Sequence, residues 1–132
     1  DHPRNIPDDL MIACAQRGGV IGINGIGIFL GNNDSKVSTF VNHVEHALAL
    51  VGDEHVGIAL DYVFDDQEVA QFAAANPEMF PSAAGYGAGM AMIAPWQFDT
   101  IVEELVRRGL RESTLRKLMG ENHMRIAREV WR

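Results

Sequence analysis

Cysteine is almost missing from this chain: Cys14 is the only one in 132 residues, which excludes an intrachain disulfide. Its place in an apolar helical pattern makes it a small buried filler rather than a nucleophile. There is no Lys/Arg-rich run, and the net charge is −7. Such a surface repels phosphate backbones, so no nucleic acid is expected as a partner. Gly, Asn or Asp interrupts every apolar stretch well short of the about 18 residues that span a bilayer. No transmembrane segment is therefore expected, and the chain should be soluble; cytoplasm and periplasm both remain open. No motif repeats at a fixed period and no segment is of low complexity. The first residues lack the basic start, apolar run and small-residue cleavage site of a signal peptide, and Asp1 is not an initiator methionine. Asp1 reads as a cut end.

What is present is the makeup of one ordinary globular domain, 47% hydrophobic and 22% charged. Pro7, Asp8 and Asp9 mark a helix start, and Gly18 and Gly19 its end, which predicts a helix over about 7–17. Val20 to Asn24 is a short apolar run with β-branched residues, expected to be a strand buried on both faces. The stretch GIGIFLGNNDS after it reads as loop. Ser35 is placed to cap a second helix, with Val37, Phe40, Val41, Val44, Ala47, Leu48 and Val51 at helical spacing before Gly52. A second apolar strand, HVGIALD at 55–61, ends in Asp61.

Residues 62–95 are irregular, with a short helix at 66–75 and then a proline- and glycine-rich stretch, as expected of a functional lid or a disordered insertion. Pro95 opens a helix through about Arg108, with Phe98, Ile101, Val102, Leu105 and Val106 inward, and two further helices follow. Trp96 and Phe98 read as core, while Met90 and Met92, with Phe80 nearby, suit a lid or a subunit interface. Two uninterrupted apolar strands alternating with helices call for parallel β/α units. Two strands cannot form a stable parallel sheet alone, so the pattern is that of part of a larger α/β fold.

Read in order, HPRNIPDDL…ACAQRGGVIGIN, VNHVEHALALVGDEHVGIALD, IVEELVRRGL and LRKLMGENHMRIAREVW resemble the C-terminal half of the membrane (renal) dipeptidase family, zinc-dependent dipeptidases on a (β/α)8 barrel. Separated motifs agree from residue 2 to 131, while 62–95 lacks family character. The resemblance implies the C-terminal portion of a TIM-like barrel, which in full takes about 250 residues. It also implies two zinc ions whose ligands lie in the part of the family not represented here, so that no metal ligand is expected in this chain. A dipeptide is the implied substrate. The N-terminal half of the barrel or another chain is the implied partner, and an oligomer is expected because a half-barrel exposes strand edges.

By the same resemblance, Arg4 would bind the substrate carboxylate or the tetrahedral intermediate, and Asp61 would be the catalytic residue that meets the free amine or handles a proton as it departs. Arg4 taken alone reads as a surface arginine near a helix start. By position alone, Asp61 reads as readily as a solvated strand-end carboxylate or a helix cap as it does as a functional group. Where many family members continue Asp-Phe-Asp-Gly, this chain has Asp61, Tyr62, Val63 and Phe64, so the family's specificity does not carry over, and the long apolar insertion that follows is a candidate to rebuild the pocket wall. Asn24, at the other strand end, is a candidate substrate contact.

Other motifs read as structural. His43 and His46 have a spacing that would suit one metal, but Glu45 and Asp53 do not clearly share their face. His55 lies at a strand start, and His123 reads as structural or surface. Gly25 and Gly27 lack the rest of a phosphate-binding glycine loop, which makes a nucleotide-binding domain a weak reading. Gly120, Glu121 and Asn122 read as a helix start with Asn122 bonded to backbone. The leading expectation is a metal-dependent dipeptidase completed by another half, this segment alone being inactive. The rival is a non-catalytic half-barrel that oligomerises as a binding or scaffold module.

Overall fold

A computed structural model describes residues 2–131; Asp1, read above as a cut end, and Arg132 lie outside the described residues. The element order is α1 (Asp8–Gln16), β1 (Ile21–Ile23), α2 (Gly27–Leu30), α3 (Val37–Val51), β2 (Val56–Ile58), α4 (Asp66–Ala75), α5 (Phe98–Arg107), α6 (Glu112–Arg116) and α7 (Asn122–Val130). The two strands pair in parallel, Ile21 with Val56, Gly22 with Gly57 and Ile23 with Ile58. The result is an α/β fold with a small parallel sheet. No helix among the described residues is long and apolar enough to cross a membrane.

Each core element follows from its apolar spacing. The buried side of α3 carries Phe40, Val41, Val44 and Ala47, and that of α5 carries Ile101 and Leu105. These meet Ile21, Val56, Ile93 and Leu118 in one cluster. Burial of such side chains supplies about 1.5–3 kcal/mol each, which offsets the entropy of ordering the short strands. Arg108 ties the two helices together by donating to Glu104 and Glu45 and to the Ser38 carbonyl.

Several expectations need correction. The strands are only partly buried on both faces: Ile21 and Val56 are buried on one side, and on the other the His123 ring covers Gly57 while Gly22 and Ala59 are exposed. The stretch expected as loop after β1 contains α2, a single turn whose Leu30 and Ile28 are buried. Ser35 does not cap α3. Lys36 occupies the cap position, and Asp34 accepts from the Lys36 N–H at 2.9 Å and from the Thr39 hydroxyl at 2.9 Å, so a carboxylate one residue earlier satisfies the turn. Trp96, expected in the core, is 70% exposed and stacks edge-on against Tyr62, while Val106 is 53% exposed because α5 buries only Ile101 and Leu105 fully. Cys14 is only half-buried. The helix at 66–75 is present as read, capped by Asp65 accepting from Gln67 and Glu68 N–H.

A polar clasp closes the end of the sheet where the strands begin. Asn122, 2% exposed, donates from Nδ2 to the carbonyls of Asp53 at 2.7 Å and Val56 at 2.8 Å, so the backbone it bonds belongs to the start of β2 rather than to its own helix. Asp53 accepts from Lys117 and Thr114, and those contacts hold its carboxyl below the usual aspartate range. Arg125 reaches the carbonyls of Gly18 and Glu54. The chain turns between α6 and α7 at Gly120, whose φ of 153° favours glycine. His55 donates from Nδ1 to the Gly19 carbonyl at 2.9 Å, and the His123 ring sits directly on Gly57.

A methyl group at position 57 would run into the His123 ring. Gly57→Ala is expected to lower stability by about 1–3 kcal/mol in denaturant unfolding, and His123→Ala in the same chain should recover most of that loss. A loss unaffected by the second change would exclude this contact as its cause. Glu104, bonded first by Arg107 and then by Arg108, has its carboxyl pulled down from 4.5 to about 2. A carboxylate lowered in the folded state contributes stability that is complete above pH 4.5 and disappears as pH falls toward 2. Glu104→Gln should therefore flatten the fall in Tm across that window; an unchanged pH profile would contradict the assignment.

Candidate active site at the strand ends

Parallel strands deliver their C-terminal ends to the same edge, and the residues that leave β1 and β2 there are Asn24 and, three positions past Ile58, Asp61. Asn24 donates from Nδ2 to Asp61 Oδ2 at 2.9 Å, while its Oδ1 accepts from the Ile26 N–H at 2.8 Å. Both ends of the amide are thus committed, and its donor is aimed at the carboxylate. Asp61 sits at φ 57°, in the left-handed region that a non-glycine residue occupies at a cost of about 1–2 kcal/mol. The Gly25 N–H donates to the Leu60 carbonyl at 3.0 Å, which pins the backbone immediately before that residue.

Arg4 approaches from the segment before α1. Its guanidinium lies over the Phe29 ring, 5.6 Å from the centroid, and donates from Nη1 to the Tyr86 hydroxyl at 3.2 Å. Asn5 donates to the Phe29 carbonyl at 2.8 Å, which fixes the loop beside it. His2 holds the other side: Nε2 donates to the Ala84 carbonyl at 3.1 Å and Nδ1 accepts from the Arg4 N–H at 3.2 Å, the pattern of a neutral imidazole protonated at Nε2. The His2, Phe29 and Tyr86 rings meet edge-on.

Arg4, Asn24 and Asp61 all line one open cavity of about 590 Å³, together with Phe29, His43 and His46. The structure thus gathers the three residues singled out from the sequence around a single mouth. His2, Phe29 and Tyr86 were missed. The HPRN stretch contained a signal for His2, but Tyr86 lies 82 residues from Arg4 in an irregular segment, and no periodicity links them.

The histidines separate. His43 donates from Nε2 to the Leu30 carbonyl at 3.0 Å, whereas His46 Nε2 pairs with Asp8 at 2.9 Å. Among the described residues no three His, Cys, Asp or Glu side chains gather where they could hold one metal ion. The donor set of the described residues does not fit a metal centre by itself.

In parallel α/β folds the C-terminal strand ends are where ligand sites form, and here that edge carries a polar, partly aromatic mouth. The family profile of the membrane dipeptidases (peptidase family M19) matches residues 1–75, and the chain belongs to that family. It is 26% identical over 130 residues to Dipeptidase verJ of Clonostachys rogersoniana, covering 98% of this chain and 28% of that protein. An amidohydrolase from Pseudomonas aeruginosa superposes with a TM-score of 0.77 at 27% identity, over 99% of this chain and 42% of the other. The fold also matches, with a TM-score of 0.68 at 20% identity, a Rhodobacter sphaeroides metallo peptidase liganded with a phosphinate mimic of the dipeptide L-Ala-D-Ala, over 97% of this chain and 32% of that one. This chain spans less than half the length of each of the three.

The backbone at Asp61 is open to direct measurement. Asp61→Gly and Asp61→Ala both remove the carboxylate, but only glycine relaxes at this φ, so the glycine variant should be the more stable by about 1 kcal/mol. Equal stabilities would show that the left-handed backbone is not maintained.

Proposed function

We propose that these residues are the C-terminal part of a (β/α)8 metal-dependent dipeptidase, contributing substrate-binding and acid/base groups to a site completed by polypeptide outside them. The carrying observation is the hydrogen bond between Asn24 and Asp61 at the ends of adjacent parallel strands, with Arg4 on the same cavity. Family membership and the dipeptidase among the relatives support the reaction class.

In this reading two zinc ions would be held by residues outside this sequence and would supply Lewis-acid chemistry, while the residues described here bind and orient the substrate. Arg4 presents a planar fork of donors to the substrate carboxylate, and the Phe29 face and Tyr86 hydroxyl orient that fork. Asp61 receives the free amine, or carries a proton as the amine leaves, with its carboxylate aimed by Asn24. A dipeptide suits such a site, because its two charged termini lie within one short molecule. The segment 62–95 acts as the insertion over the mouth: Tyr86 and Ala84 are its contacts to Arg4 and His2.

The second reading, an oligomerising half-barrel without catalysis, draws on the two-stranded sheet, in which each strand has a neighbour on one edge only. Sizing and metal analysis of the native protein separate the two. A companion segment with bound zinc supports the enzyme, and a metal-free homo-oligomer supports the module.

In the full-length, zinc-loaded protein, Arg4→Lys should raise KM for a dipeptide about 10–100-fold, the cost of losing a forked charge-assisted contact, with little change in Tm. An unchanged kcat/KM would remove Arg4 from the site.

A further inference from the structure

Arg4 and Asp61 also border a second, smaller cavity of about 150 Å³, and most of its wall is apolar, Ile26, Val69, Phe72, Phe80, Met90 and Met92 among it. It shares Arg4, Phe29 and Asp61 with the larger cavity, so the two open onto the same pair of charged side chains. Apart from Ile26 and Phe29, its apolar wall comes from residues 62–95, where the chain loses its family character. We propose that this cavity is the subsite for a substrate side chain, and that it selects dipeptides carrying a bulky apolar residue. The proposal rests on the dipeptidase reading above.

The wall is built into the fold by main-chain bonds. Ile26 and Met92 form an antiparallel bridge, the Gly27 N–H donates to the Ala91 carbonyl at 2.7 Å, and the Ile93 N–H donates to the Gly25 carbonyl at 2.9 Å. That lashes the Met90–Met92 strip to the chain leaving β1. On the other side, α4 supplies Val69, Phe72 and Ala73, and its start is fixed by the Asp65 cap. Phe72 meets Phe80 at 5.6 Å and Phe80 meets Tyr86 at 5.3 Å between ring centroids, which joins α4 to the hydroxyl that Arg4 bonds.

A largely apolar cavity of this volume has room for a benzene-sized group. Two methionines in the wall adjust to side chains of different shape. The polar side chains of the lining are Arg4, Asp61 and Tyr86, so a polar or charged substrate side chain would lose its hydration with few partners. Because Arg4 and Asp61 line both cavities, a dipeptide held by its termini there would have a side chain beside the smaller one.

The test uses the full-length, zinc-loaded protein and dipeptides carrying Gly, Ala, Leu or Phe at each position in turn. Leu or Phe at one position should exceed Gly in kcat/KM by at least about tenfold. Ala73→Leu, which puts bulk into the cavity from a residue 5% exposed, should reduce that ratio about tenfold or more. Met92→Ala is the second variant, usable if the first does not fold, and should move the preference toward Phe. Dipeptides cleaved with no such preference, or ratios unmoved by either variant, would overturn the subsite and leave the dipeptidase reading intact. If no dipeptide is cleaved, the dipeptidase reading falls, and toluene decides the cavity. Saturable thermal stabilisation by toluene that Ala73→Leu abolishes supports an apolar-ligand site, and no stabilisation overturns it.

Discussion

The register of one parallel strand pair governs the rest of this molecule. With Gly22 opposite Gly57, the chain leaves β1 and β2 at the same edge, and only then can Asn24 reach Asp61. A shift of one residue would turn Ile21 and Val56 away from the α3 and α5 core and carry the buried set to the open side. Core burial and site assembly therefore impose the same register, and neither can be altered without the other.

The opposite end of the sheet holds that register in place. Asn122 bonds two carbonyls at the start of β2, and Lys117 and Thr114 converge on Asp53 beside them. These side chains come from the last quarter of the sequence, yet they anchor strands from its first half. Because the strands are only three residues long, their own ladder is too short to resist slippage, and the clasp supplies what a longer strand would have supplied by itself. Placing rigid polar bonding at one end leaves the other end free for a strained Asp61 and an open cavity.

The 62–95 segment changes meaning when seen in space. By composition it is a proline- and glycine-rich interruption with one helix. In the structure, Tyr86, Phe80 and Phe72 form a continuous aromatic path from Arg4 to α4, and Met92 bridges to Ile26. The stretch thus packs against the mouth through side chains that no helical or strand period could have paired. Trp96 shows the same difficulty in reverse: its size argued for burial, but the helix after it turns only Ile101 and Leu105 fully into the core.

Local chemistry made α1, α3, α4 and α5 legible from residue order alone, because apolar spacing, prolines and terminal glycines act within a few residues of one another. The two strands were legible as apolar runs, and Arg4, Asn24 and Asp61 stood out through motif and strand-end position. The sequence by itself therefore determined the elements other than α2, their α/β order and the family. Tertiary structure alone decided how far each strand face is covered, that Asp34 rather than Ser35 bonds the turn into α3, that His43 and His46 take different partners, and that Tyr86 meets Arg4 across 82 positions. Those outcomes depend on contacts between residues far apart in the chain, and the free energy of such a contact exists only once the intervening segments have packed.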